Sequence, residues 1–509
     1  MTPGAHPGRW IRRGFLAALV LAASAAPLQA QGYRLRIDSR VQRAGFRGYA
    51  LDSILASATV TNPRTGGTET PDGFAVSCPG ITGYCFFYRP RARQLAAPGV
   101  TTADLTLWGF GVTGLRVRAN ARLAYDLGDA KVWPGTDPAL QLEELYAEYA
   151  PRDWLTGRLG RQIYAGRLGW TGFDGGRVTL RENRRGLELG GYLGWGLARA
   201  VALPVSSSVL NPLDEYQPRQ RQLVAGAVAG WNNPRFDANL EYQRQVDQRN
   251  DYFVSERAAL SADIHPLPHW SLVAGAEYNI AEGLWGSADA TLRYLTQRWT
   301  ATVGARRYRP YFELWTIWGA FSPVAYKAVN ASATVSIRPN LSLRARGERY
   351  WYDDAEASTP LVTVEDRGWR VGLGATWSPR DNLTLQAGHE SEYGPGGAYN
   401  SYDGSVSYQP RDQIGLTAWA ARLTRPLELR VNEARVNALG LNADWRPAER
   451  WQLSLGAAWY QEDRRRPDAA ALDWNQTRLT ARVSFFLSSG ADMLALPPAR
   501  RTDRTEAAQ

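Results

Sequence analysis

Residues Leu115 to Asp126 alternate in character at every step. One set reads Leu115, Val117, Ala119, Ala121, Leu123 and Tyr125; the interleaved set reads Arg116, Arg118, Asn120, Arg122, Ala124 and Asp126. Successive side chains of a β-strand point to opposite faces, so this segment has one apolar face and one charged face. The pattern recurs. Leu341, Leu343 and Ala345 alternate with Ser342, Arg344, Arg346 and Glu348. Leu479, Ala481, Val483 and Phe485 alternate with Thr480, Arg482, Ser484 and Phe486. Ala238, Leu240 and Tyr242 alternate with Asn239, Glu241 and Gln243, and Leu453 to Tyr460 behaves in the same way. No segment sustains a helical period to the same extent, which makes the fold class all-β. A soluble sandwich or propeller would bury the apolar faces between sheets. A membrane barrel would turn them to lipid and turn the polar faces to a lumen.

Connections decide between these. Short Pro-containing links precede strand after strand, as in Ala150-Pro-Arg-Asp-Trp, Ser378-Pro-Arg-Asp-Asn, Gln409-Pro-Arg-Asp-Gln and Arg446-Pro-Ala-Glu-Arg. Pro fixes φ and Asp or Asn favours a turn, so each reads as a tight reversal. The opposite connections, among them 127–141, 196–220, 353–366 and 463–473, are long, polar and irregular. Short turns at one end and long loops at the other are the pattern of an outer-membrane barrel. Trp154, Trp270 and Trp451 lie beside the Pro turns, and Trp195, Tyr278, Trp351 and Tyr460 lie at far strand ends, where interfacial girdles belong. Short turns near 112, 151, 183, 232, 266, 296, 339, 379, 410 and 447, with a first strand at 33–43 and a last at 474–487, predict a single transmembrane antiparallel barrel of 16 to 22 strands, with 22 favoured. The stretch 310–327 reads as an outer loop that could hide a hairpin.

The N-terminus carries Arg9, Arg12 and Arg13, then an apolar Gly14–Ala26 stretch and small residues up to Ala30. This is the form of a cleaved secretory signal peptide over 1–30, with a membrane anchor as the alternative. Arg12-Arg13-Gly14-Phe15-Leu16 also resembles a twin-arginine export signal. Residues 31–102 read as an N-terminal strand plus a loop region, 103–487 as the barrel, and 488–509 as a disordered periplasmic tail. Cys78 and Cys85 are the only cysteines, with Pro and two Gly between them, so an exported chain is expected to join them in a local disulfide. The 20 Trp, 24 Tyr and 13 Phe exclude global disorder, and beyond the leader no apolar run is long enough for a membrane helix. The aromatic-rich last strand suits recognition by barrel-assembly machinery. Outer-membrane lipid and lipopolysaccharide are the other expected partners, and the oligomeric state is left open.

The formal net charge is +10, and Lys131 and Lys327 are the only lysines among 59 cations. Alternation places Arg116, Arg118, Arg122, Arg158, Arg177, Arg181, Arg293, Arg344 and Arg346 on the polar faces, with acids Glu144, Glu148, Glu241, Glu277 and Glu348 beside them. Fixed cations in a pore lower the barrier for anions, and arginine forks to carboxylate and phosphate. The same residues could instead form a salt-bridge lattice that braces a wide barrel, and both roles can coexist. No catalytic, metal or cofactor site is expected. His265 and His269 flank prolines in a turn, and His389-Glu390 are adjacent on a strand and so point apart. Gly109-Phe-Gly-Val-Thr-Gly114 has the dinucleotide spacing but no helix to follow it. The arginines are spread through strands rather than gathered in one patch, which argues against nucleic acid.

Residues 154–180 contain Leu159-Gly160-Arg161-Gln162, then Gly166-Arg167, then Phe173-Asp174-Gly175-Gly176-Arg177-Val178. This stretch resembles the Gly-Arg-Gln … Phe-Asp-Gly-(Val/Ala)-Arg-Leu segment of the alginate-export-like outer-membrane porins, with Gly176 at the usual branched position. The resemblance implies an arginine-rich pore for acidic solutes or polymers, with Arg161, Gln162, Asp174 and Arg177 at or near the pore wall. Two functions follow as expectations. One is a passive channel for small or polymeric anionic solutes; the other is a structural barrel serving as sleeve or anchor for a partner. The segment before the barrel reads as too short for a plug domain, which favours passive over energy-coupled passage.

Overall fold

The computed structural model describes residues 32–489, apart from 64–65, 81–82, 129–138, 198–221, 248–251, 310–324, 354–366, 395–396, 429–431 and 465–473. The leader, the tail beyond 489 and most of the long connections fall outside the described residues. The alternating segments form one sheet of 22 antiparallel strands. They are β1 (Gly32–Leu55), β2 (Tyr84–Ala96 continuing through Pro98–Trp108), β3 (Leu115–Asp126), β4 (Ala139–Arg152), β5 (Leu155–Gly166), β6 (Gly169–Glu182), β7 (Leu187–Gly196) and β8 (Leu223–Asn233). Then follow β9 (Phe236–Asp247), β10 (Tyr252–Leu267), β11 (Trp270–Asn279), β12 (Leu284–Leu295), β13 (Trp299–Tyr308), β14 (Tyr326–Arg338) and β15 (Leu341–Tyr352). The last are β16 (Arg367–Arg380), β17 (Leu383–Gly394), β18 (Gly397–Arg411), β19 (Ile414–Glu428), β20 (Asn432–Ala448), β21 (Trp451–Arg464) and β22 (Trp474–Ser489). Each strand pairs with its sequence neighbours, and the sheet closes where Tyr33–Ala44 of β1 pairs with Ser489–Arg478 of β22. Closure pairs the first and last strands, which is what hydrocarbon demands of a spanning sheet.

Period-two alternation sets the two surfaces. Leu123, Leu159, Leu189, Leu240, Leu260, Val303, Leu373 and Leu455 are all exposed on the outside. Trp154, Trp231, Trp299, Trp377, Trp445 and Trp451 ring the end with short turns; Trp195, Trp285, Trp351 and Trp459 mark the other. An apolar band between aromatic girdles places the barrel in the outer membrane. Tyr460 departs from the girdle reading. It faces inward, where the Arg478 guanidinium stacks on it at 4.7 Å, and Trp459 takes the outward place.

The prolines act one step earlier than a turn-forming residue would. Pro151, Pro266, Pro379, Pro410 and Pro447 are the penultimate residues of their strands, and at each the register shifts. Lacking an N–H, proline cannot complete the ladder, so the pairing bulges and a two-residue turn follows. His269 takes the left-handed position after Pro268, with φ 73°. Gly114, at φ 80°, is needed for a different reason: a Cβ there would lie 2.1 Å from the Ala150 carbonyl oxygen.

The segment before residue 103 contributes wall. The lower half of β1 pairs with Pro98–Trp108, and its upper half (44–55) pairs with Ala96–Tyr84. The pair therefore continues past the barrel as a protruding hairpin on the long-loop side. Cys78 and Cys85 are joined in a disulfide, and Cys85 is fully buried. Phe74 stacks on buried Phe87 at 5.9 Å, so the loop that follows β1 is folded onto one face of the hairpin.

Candidate functional site

Among the described residues the inward faces carry several groups of ion pairs, three of which join wall strands as follows. In the first, Glu148 (1 % exposed) accepts from Nε of Arg116 at 2.6 Å and Nε of Arg158 at 2.7 Å, while Arg118 reaches Asp104 at 2.9 Å and Glu144 at 3.4 Å. In the second, Glu348 receives Arg306 at 2.8 Å and Arg370 at 3.5 Å; Arg370 also reaches Glu392 at 2.8 Å, and Arg346 pairs with Glu390. In the third, Arg181 meets Glu188 at 2.8 Å. Each arginine lies a strand or two from its acid, so these pairs tie neighbouring strands together and brace a wide wall.

A hairpin narrows the lumen. The pairing of β4 with β5 stops at Leu145↔Arg161, and beyond it the upper β5–β6 hairpin leaves the wall. Its tip, Gly166 to Gly169, lies against strands three to six places away. The backbone N–H groups of Arg167 and Leu168 donate to the buried Glu241 carboxylate at 3.0 and 3.3 Å. The Arg167 guanidinium packs on Gly275, pairs with Asp289 and lies 3.9 Å from Glu277. Six strands at about 4.8 Å each are roughly 29 Å of wall, far beyond an arginine's reach along the sheet. The tip therefore crosses the interior. Phe173 (0 % exposed), Tyr164, Tyr192, Val224 and Val228 form a small apolar core beneath it, with Phe173 and Tyr192 stacked at 5.2 Å. Gln243 donates to Thr171 at 2.6 Å and to the Tyr192 hydroxyl at 3.1 Å.

The hairpin covers part of an acidic stretch of the inner wall. Inward acids Asp237, Glu241, Asp263, Glu277 and Asp289 lie on β9–β12, and the tip covers Glu241, Glu277 and Asp289. Diametrically across, β22 and β1 present Arg34, Arg36, Arg40, Arg478 and Arg482 inward. Their one facing acid on those strands is Asp38, which Arg482 binds with both Nε and Nη2. Arg34 and Arg40 are exposed and have no acidic partner among the described residues, and the Arg36 side chain is 60 % exposed.

Register places Arg116, Arg118, Arg122, Glu144, Glu148, Arg158, Gln162, Arg177, Arg181, Arg293, Arg344, Arg346 and Glu348 on the inward face. Arg177 stacks over Tyr164 at 4.9 Å, and Gln162 donates to the Gly175 carbonyl at 3.0 Å. Arg161 and Asp174 are corrections. They pair bidentately at 2.8 and 3.0 Å on the outward side, because each is one residue out of phase with inward Gln162 and Phe173. Arg161 also donates to the Leu142 carbonyl at 3.1 Å, on the β4 edge that the departing hairpin leaves unpaired. The pair is a clasp at the hairpin's hinge. His389 and Glu390 do point apart: His389 stacks outward on Tyr402 at 4.5 Å, and Glu390 faces in. The seam arginines of β1 and the latch residue Arg167 are the parts the sequence reading passed over. The signal for the seam was present, since Arg34, Arg36 and Arg40 alternate with Leu35, Ile37 and Val41.

No protein-family model and no curated protein matches the chain. Among solved structures, the barrel is similar to the siderophore receptor PirA from Acinetobacter baumannii (7% identity, 89% of this chain and 80% of that one, TM-score 0.49). It is also similar to the copper transporter OprC (11%, 88% and 80%, 0.48) and to OccAB3 of Acinetobacter baumannii (11%, 89% and 99%, 0.38). At this level the functional reading rests on the chain's own geometry.

Proposed function

We propose that the protein is a passive outer-membrane channel for anionic solutes, small carboxylates or an acidic polymer, which pass along the β22–β1 arginine seam. The observation that supports this reading is the asymmetry of the lumen: three of the five acids of the acidic wall are covered by the inward hairpin while Arg34, Arg36 and Arg40 stay open to solvent. A 22-stranded barrel is wide enough to hold a plug, and here a hairpin reduces the bore. Exposed cations lining the remaining path favour anions, and guanidinium groups match carboxylates in geometry. An acidic polysaccharide is the finer reading, supported by the alginate-export-like stretch at 154–180. The test is reconstitution in planar bilayers under a potassium chloride gradient. The expected result is a steady current whose reversal potential has the sign of anion selectivity, reduced by added oligomeric uronate. A closed barrel, or a cation-selective one, would refute the proposal.

A further inference from the structure

The outer wall of β13–β16 carries a feature that a lipid-facing surface does not need. Arg307, Lys327, Arg349 and Arg367 stand on four adjacent strands and face outward. Arg307 pairs in register with Lys327, and Lys327 with Trp351; Arg349 pairs with Val329 and Trp369, and Arg367 with Trp351. Trp351 and Val329 are themselves exposed on the outer surface. All four cations lie at the long-loop end of their strands, level with the outer aromatic girdle. Among the described residues Asp353 is their one acid, 3.0 Å from Lys327 and 3.4 Å from Arg307. Arg349 and Arg367 are exposed and have no acidic partner among the described residues.

The wall beside them is cut away. Ala262, Ala274, Ala276, Ala288, Ala290 and Ala305 occupy two neighbouring hydrogen-bonded rows on the same outward face. They floor an open groove of about 600 Å³ that runs up to Arg307 and Lys327. The row through Ala276 and Ala288 meets β10 eight residues below that strand's outer end and reaches β13 one residue from it. The groove thus descends from the cationic rim into the hydrocarbon zone.

We infer that this face is a binding site for a phosphorylated, multiply acylated lipid of the outer leaflet, of the lipid A class. The four cations would hold its phosphates at headgroup level, and the alanine groove would take an acyl chain. Charge complementarity selects this occupant. Anionic headgroups are drawn to basic clusters at the interface, and arginine forks to phosphate. A second copy of the chain would bring four cations with one acid, Asp353, against the same set.

The experiment uses the full barrel, extracted and washed in detergent, then offered bis-phosphorylated lipid A or its dephosphorylated form and read by native mass spectrometry. The expected result is one retained phosphorylated lipid per barrel. R307Q/K327Q/R349Q/R367Q should weaken retention roughly tenfold or more, given the usual gain per basic residue at a membrane surface. A274F/A290F, which fills the groove and keeps the charges, should weaken it as well. Heat-modifiable gel migration of both variants checks that the barrels are folded. Equal retention by wild type and the charge variant would overturn the inference. So would equal binding of dephosphorylated lipid, displacement of the lipid by inorganic phosphate alone, or a lipid-free dimer that the charge substitutions abolish.

Discussion

Replacing Glu241 by alanine should unlatch the hairpin. The carboxylate is 3 % exposed and accepts two backbone N–H groups from the tip, at 3.0 and 3.3 Å. Hydrogen bonds to a charged acceptor contribute about 1.5–3 kcal/mol each; the longer of these two belongs at the weak end. A combined loss of about 3 kcal/mol lowers the ratio of docked to undocked hairpin by roughly a hundredfold, at 1.4 kcal/mol per decade. E241Q keeps a neutral acceptor and should fall between the two. Gly166→Val should act like E241A from the other side, because a Cβ at Gly166 would sit 2.3 Å from the Glu241 carboxylate. R167A should raise conductance too, but with a second signature: Asp289 and Glu277 lose their cation, so anion selectivity falls. The assay is single-channel recording, reading unit conductance, dwell times and reversal potential together. If E241A and G166V leave conductance and dwell times at wild-type values, the hairpin is not the narrowing element.

Three other outcomes are expected. R34Q/R40Q removes two of the open seam cations and should shift the reversal potential toward cation selectivity while leaving unit conductance near wild type, since neither side chain narrows the bore. C78S/C85S should leave heat-modifiable migration unchanged, because the disulfide closes a small loop outside the wall and contributes about 2–3 kcal/mol at most; limited proteolysis within 56–83 should accelerate, and equal nicking rates would count against that local role. R161L removes the bidentate pair with Asp174 and the donor to the Leu142 carbonyl, and should lower the temperature at which the folded gel band is lost. R161L/D174L should recover most of that loss, and a double variant no better than the single would mean that the clasp is not a pair.

Alternation made the all-β class legible, and the split between short turns and long loops made the barrel and its strand number legible. A soluble core has many ways to bury an apolar face, whereas Leu115–Asp126 and its repeats carry a charged face that needs water equally often. A closed sheet between lipid and lumen supplies both at every strand, and the one-sided distribution of short turns and long loops separates it from a sandwich. The turns were legible a residue or two out of place, because proline is conspicuous in sequence but acts in the ladder through its missing N–H. The first strand was legible at 33–43, whereas its extension to Leu55 and the pairing of that extension with Tyr84–Ala96 were not.

The candidate site was legible only as a face. Period two tells which side of the wall a residue takes, and by that rule Arg161 and Asp174 belong outside once Gln162 and Phe173 are inside. The resemblance at 154–180 obscured this by treating neighbours as one surface. What period two cannot tell is which inward charges meet, since that depends on an element crossing the lumen. Gly160, Gly166, Gly169, Gly172, Gly175 and Gly176 crowd the two strands that do so. Gly160, at φ 127°, and Gly175 would each drive a Cβ to within 2.3 Å of a neighbouring carbonyl oxygen, so only glycine lets the hairpin turn inward there. The consequence is electrostatic. The chain sets five acids on β9–β12 and five arginines on β22 and β1, which as a bare cylinder would give a lumen with two opposed tracks. By spending Arg167 and two backbone N–H groups on Glu241, Glu277 and Asp289, the hairpin offsets part of the acidic track and leaves the arginine track open. On the proposed anion-channel reading, substitutions at Glu241 or Arg167 should therefore move selectivity further than any single arginine of the seam.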